Sequence, residues 1–161
     1  MKEQKFEFNY ILYDDADELP QDLRELLIKA RQATASAYAP YSRFQVGVAA
    51  RLANGEIIVG SNQENASFPV GLCAERVLLA SATSFYPKVP IDAMAISYTT
   101  ESMKSDHPIS PCGICRQSLQ EFEARHHHSI KLILGGMEGP VYVIDSVKKL
   151  LPLAFTNEEL R

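Results

Sequence analysis

Phe44-Gln45-Val46-Gly47-Val48-Ala49-Ala50-Arg51-Leu52, then Ala53-Asn54-Gly55, then Glu56-Ile57-Ile58-Val59-Gly60-Ser61, reads as two strands joined at a tight turn. Asn-Gly between apolar runs is the strongest short hairpin signal. Downstream, a helix is expected from about Cys73, a strand near Ile91 to Tyr98 and a helix from about Cys112. Strands near Ile130 to Leu134 and Val141 to Ile144 follow. Upstream, Leu23, Leu26, Leu27, Ala30 and Ala33 recur at helical spacing after Pro20 and turn one face of a helix toward the core. Tyr38-Ala39-Pro40-Tyr41-Ser42 is a loop, since Pro40 biases Ala39 away from helical backbone. Lys5-Phe6-Glu7-Phe8-Asn9-Tyr10 alternates polar with apolar, as an edge strand does. Strands alternating with helices imply a mixed sheet with helices packed on its faces.

The chain has 161 residues, enough for one domain with a real core, and no repeat or low-complexity linker divides it. Residues 1–161 are therefore expected to form a single domain. A net charge of -4 and a pI near 5.6, with no run of Lys and Arg, disfavour a polynucleotide partner. Neither a signal-peptide core nor an eighteen-residue apolar run is present, which points to a cytoplasmic protein whose cysteines stay reduced.

All three cysteines fall in two short motifs, Cys73-Ala74-Glu75 and Pro111-Cys112-Gly113-Ile114-Cys115. Cys112 and Cys115 can share a face at the start of a helix, whereas Cys73 and Glu75, two apart, converge only if Cys73 sits where its helix begins. Three thiolates with one carboxylate suit a zinc site with an open coordination position, the mark of a catalytic centre. The rival readings are a redox dithiol, buried structural cysteines, and a closed structural zinc with His107 or one of His126, His127 and His128 as fourth ligand. Three thiolates on a divalent cation leave a net negative charge that something positive must offset. Arg76 is the candidate, through hydrogen bonds to ligand sulfurs, although a solvated helix face would explain it equally well; Arg116 carries the same ambiguity.

Tyr38-Ala39-Pro40-Tyr41-Ser42-Arg43-Phe44-Gln45-Val46-Gly47, Asn62-Gln63-Glu64-Asn65-Ala66, Cys73-Ala74-Glu75-Arg76 and Pro111-Cys112-Gly113-Ile114-Cys115-Arg116-Gln117 resemble, in order and interval, the motifs of the small homotetrameric cytidine deaminases. The likeness covers about residues 21 to 160, leaving residues 1–20 as an N-terminal extension. It implies a three-layer α/β/α fold with a mixed five-stranded sheet and helices on both faces. It also implies a homotetramer whose sites lie at subunit interfaces, and a place in pyrimidine salvage.

By the same resemblance, Cys73, Cys112 and Cys115 hold one Zn2+ per subunit. Glu75 takes a proton from the attacking water, passes it to N3 of the pyrimidine, and brings a second proton to the departing amino group. Cytidine and 2'-deoxycytidine become uridine and 2'-deoxyuridine plus ammonia. Phe44 corresponds to the aromatic that packs against the base, Asn62 and Glu64 to the pair that holds the ribose 3'-hydroxyl, and Ala74 to the backbone N–H that meets the base carbonyl. Phe155 corresponds to an aromatic that reaches a neighbouring subunit's site. Phe68 stands where many relatives carry Tyr. A deaminase of a cytosine nucleoside antibiotic of the blasticidin type also uses three cysteines and is the alternative within the fold; a noncatalytic zinc-stabilised module is the alternative outside it.

Overall fold

The structure is a computed structural model, and it describes residues 1–160. The hairpin forms around Asn54-Gly55: strands β2 (Phe44–Leu52) and β3 (Ile57–Ser61) pair antiparallel, and Gly55 takes φ +89° at the turn. Beyond it lie β4 (Ile91–Thr100), β5 (Lys131–Gly135) and β6 (Val141–Ile144). A short strand β1 (Ile11–Tyr13) precedes the hairpin. The six strands form one mixed sheet in the order β1-β6-β5-β4-β2-β3, with β4 and β5 parallel and the other pairs antiparallel.

Three helices cover the sheet. Helix α1 (Gln21–Ala33) buries Leu23, Leu26, Leu27 and Ala30 against Ala49, Ala93, Ala95 and Ile133 on one face. Helices α2 (Ala74–Phe85) and α3 (Gly113–His126) bury Leu78, Ala82, Leu119 and Phe122 against Val48, Met94, Ile96 and Leu132 on the other. The period-2 alternation of β2 and β4 sends successive residues to opposite cores, which makes the three-layer α/β/α arrangement. Close approach is built in at Gly60, where a Cβ would stand 2.9 Å from the Ala74 carbonyl oxygen. Its bare Cα lets the first turn of α2 lie directly on β3.

The sheet therefore has six strands rather than the expected five. Its edge strand also begins later than the alternation at Lys5–Tyr10 suggests. β6 offers a ladder only at Val141–Val143, paired with Tyr13, Leu12 and Ile11, and the chain after Ile144 turns away into a 3-10 turn at Val147–Leu150. Upstream residues have no strand to bond. Their alternation survives instead as an aromatic row: Phe6 and Phe8 centroids lie 6.5 Å apart, Phe8 and Tyr10 6.3 Å, and Tyr10 and Tyr142 4.8 Å.

Candidate active site

Cys73 and Cys112 are the residues immediately before α2 and α3, both in extended backbone. Their carbonyl oxygens accept the first helical bonds, from Arg76 and Val77 for Cys73 and from Arg116 for Cys112. No side chain caps either helix, so the N–H groups and positive dipole ends of two helices face one place. Cys115, one turn into α3, joins them, and the three Sγ atoms all lie within 4.8 Å of one another. Cys73 Sγ and Cys112 Sγ are 3.8 Å apart.

Ligand sulfurs 2.3 Å from a tetrahedral zinc stand about 3.8 Å from each other, so the donor set fits that ion in spacing as well as in softness. The protonation pattern agrees. A hydrogen bond from Cys115 draws the Cys73 thiol down to about 6, helped by Cys112 and Arg76 against the opposing effect of burial. Cys115, as the donor in that bond and as a buried group, is pushed up. A thiolate braced by a neighbouring thiol and by a guanidinium is what a site prepared for a divalent cation requires.

Glu75 is 5 % exposed and lies at the floor of a cavity of about 350 Å³. Burial, chiefly, raises its carboxyl above the usual carboxylate range, with the charge on Cys73 adding to the effect. A carboxyl so placed holds a proton more readily than an exposed one, as a group that must receive and return a proton does. Phe44, Asn62, Glu64 and Ala74 line the same cavity, as do Ile109 and Ser110. Phe44 stacks on Tyr98 at 5.1 Å between centroids and 9° between planes. Asn62 already spends part of its amide on β2: Oδ1 accepts from Val46 N–H at 2.8 Å and Nδ2 donates to the Phe44 carbonyl at 2.9 Å. Glu64 Oε2 accepts from the N–H groups of Tyr41 and Ser42 at 2.9 and 3.2 Å, and these bonds, with the Ser42 hydroxyl foremost, lower its pKa. Both residues thus line the cavity while held by backbone partners.

Other expected residues separate from this group. Phe155 is exposed, pinned by its carbonyl to Gln117 Nε2 at 2.9 Å, and does not line its own chain's cavity. Arg76 acts on Cys73 and Glu75 through its charge alone; among the described residues its guanidinium has no hydrogen-bond or ion-pair partner. Arg116 is structural, donating to the carbonyls of Pro111 at 2.8 Å and Leu150 at 3.0 Å. The histidines are engaged elsewhere: His107 with Tyr98 and Asp106, His126 on the Phe122 ring, His127 as the left-handed cap of α3 and His128 with Asp92 at 2.7 Å. No fourth His, Cys, Asp or Glu ligand joins the sulfur cluster among the described residues.

The sequence reading missed Ile109 and Ser110, although they immediately precede Pro111-Cys112 and could only lead into the site. It also missed Tyr98, whose place at the far end of a buried strand gave no polar signal.

The family model for the cytidine and deoxycytidylate deaminase zinc-binding region matches residues 20–129. The chain belongs to this deaminase family. It is 41% identical over 138 residues to the cytidine deaminase of Halalkalibacterium halodurans, covering 85% of this chain and 97% of that one. The cytidine deaminase of Sporosarcina psychrophila is 36% identical over 139 residues, 86% of this chain and 95% of its own. Among solved structures, cytidine deaminase from Burkholderia pseudomallei aligns with a TM-score of 0.71 at 37% identity, covering 85% of this chain and all of that one. Family membership carries zinc binding with it, and Cys73, Cys112 and Cys115 are the one ligand cluster among the described residues.

Proposed function

We propose that this protein is a zinc-dependent cytidine deaminase that hydrolyses cytidine and 2'-deoxycytidine to uridine and 2'-deoxyuridine with release of ammonia. The observation that carries the reading is the buried Glu75 carboxyl at the floor of a nucleoside-sized cavity, beside three clustered sulfurs at two helix N-termini. Zinc, when bound by Cys73, Cys112 and Cys115, supplies the Lewis acidity that activates water. Glu75 takes a proton from the attacking water, delivers it to N3, and carries the second proton to the amino group leaving C4. Arg76 offsets the charge of the thiolates. Phe44 packs on the pyrimidine, the Ala74 N–H meets the base carbonyl, and the free polar atoms of Asn62 and Glu64 take the ribose 3'-hydroxyl. A contact there leaves no room for a following phosphate, which favours free nucleosides over polynucleotides.

Residues 1–161 form one deaminase unit, with residues 1–20 as an extension that adds the edge strand β1. The exposed Phe155 ring fits a role in a neighbouring subunit's site within a homotetramer. The setting is cytoplasmic pyrimidine salvage; no helix among the described residues is long and apolar enough to cross a membrane.

The test is the fall in ultraviolet absorbance of cytidine on incubation with metal-quantified wild type and Glu75→Gln. Turnover by wild type and none by the zinc-loaded variant is the expected result. Metallated wild type inactive on every cytosine nucleoside would overturn the reading. Cytidine and a blasticidin-type nucleoside compared at equal concentration separate the salvage enzyme from an antibiotic deaminase.

A further inference from the structure

Behind the Phe44 ring lies a second layer that the chemistry does not use. Tyr98, at the end of β4, is fully buried and stacks flat on Phe44, on the side away from the cavity. Its hydroxyl lies 3.2 Å from Nδ1 and 3.3 Å from Nε2 of His107, whose ring meets it edge-on at 5.6 Å between centroids. The Lys104 carbonyl stands 3.4 Å from the same hydroxyl. His107 is in turn 3.1 Å from the Asp106 carboxylate.

The loop that presents His107 is itself clamped. Ser105 Oγ donates to the Tyr98 carbonyl at 2.5 Å and accepts from Met137 N–H at 2.9 Å. Two glycines on the β5–β6 turn take its backbone at close range: a Cβ on Gly136 would lie 2.3 Å from the Ser105 carbonyl oxygen. One on Gly139, at φ +78°, would lie 2.3 Å from that of Asp106. The same loop continues into Ile109-Ser110, which line the cavity together with Phe44. One short segment thus contacts the residue that backs Phe44 and also contributes to the lining of the cavity.

We propose that Tyr98, fastened by His107, is the positioning residue for Phe44, and that the loop from Ser105 to Ser110 sets affinity for the pyrimidine ring without taking part in proton transfer. The inference rests on the reading of Phe44 as the face that receives a cytosine base. An aromatic ring free to tilt loses part of its stacking with a ligand, and it does so equally in ground and transition states. The role therefore belongs to KM. A merely structural Tyr98 would alter the yield of folded protein and leave KM alone.

The experiment measures kcat and KM for cytidine, and Kd for uridine by calorimetry, in wild type, Tyr98→Phe, His107→Ala, His107→Gln and the double variant Tyr98→Phe/His107→Ala. Tyr98→Phe keeps the buried ring and removes only the hydroxyl. It is expected to raise KM and the uridine Kd by roughly 3- to 10-fold, with kcat within about twofold. His107→Ala should do the same, the double variant no more than either alone, and His107→Gln, which keeps a hydrogen-bonding group, should recover most of the loss. Unchanged KM and Kd in both single variants, or additive losses in the double, would overturn the role. Wild type that turns over no cytosine nucleoside would instead overturn the functional reading on which it rests.

Discussion

At Glu75 and Cys73, two residues apart, the fold moves two acids in opposite directions: burial lifts the carboxyl, while a neighbouring thiol draws the other group down to about 6. Glu75→Gln keeps the size and removes the proton carrier. Turnover should fall by at least 10²- to 10⁴-fold, the usual worth of a positioned acid-base group, while zinc content by elemental analysis stays at one per chain. The carboxyl also has a thermodynamic signature in chelator-treated protein. In the unfolded chain Glu loses its proton near pH 4.3, whereas in the fold it holds the proton to higher pH. Between those two values the native state binds more protons, so stability falls as pH rises, at no more than about 1.4 kcal/mol per pH unit. Urea unfolding at increasing pH above the unfolded-chain value should show that slope as the difference between wild type and Glu75→Gln, and an equal slope in both would contradict it. That the three sulfurs cluster beside a buried Glu75 was legible because few residue types do this chemistry and their spacing is short. The placement of Asn62 and Glu64 in the same cavity was legible only by likeness, since their bonds to Val46, Phe44 and Tyr41 are contacts between segments far apart in sequence.

Among the elements, those with a strong period came through within a residue or two: α1 from its Leu and Ala stripe, the hairpin from Asn54-Gly55, β6 from a short apolar run. β1 did not, because hydrogen bonding depends on where β6 ends, and nothing in Lys5–Tyr10 encodes that. Helix α3 illustrates a further device invisible in sequence. Near its end the buried Glu123 carboxylate accepts from the N–H groups of Ile130 at 2.9 Å and Val147 at 3.1 Å, and from the Ser146 hydroxyl at 2.7 Å. One side chain thereby ties the helix to the segments flanking β5 and β6. Glu123→Ala strands buried donors and should cost about 2–5 kcal/mol, read as a lower urea midpoint at unchanged m-value. Because Glu123 lies two helical turns from Cys115, the variant that remains folded should still bind zinc.

For the molecule as a whole, the mixed sheet with helices on both faces was legible, and the sixth strand and the clamped loop before Pro111 were not. Light scattering should find four copies of the 17.9 kDa chain, and Phe155→Ala should raise KM for cytidine while leaving metal content alone, if an exposed ring from one subunit completes the site of another. Metal bound by Cys73, Cys112 and Cys115 would join the starts of α2 and α3, neighbours on one face of the sheet, so chelation should lower Tm by about 5 °C or more, reversed by added zinc. The 3.8 Å between Cys73 and Cys112 sulfurs then acquires a second meaning. Zinc, when bound by both sulfurs, would keep the pair near that distance and block the approach to the 2.05 Å of a disulfide. Stripped of its ion in an oxidising medium, the site would lock two of its three ligands into a covalent bond, and only a reductant would make it able to take metal again. The ion is thus also the guardian of the thiols that bind it.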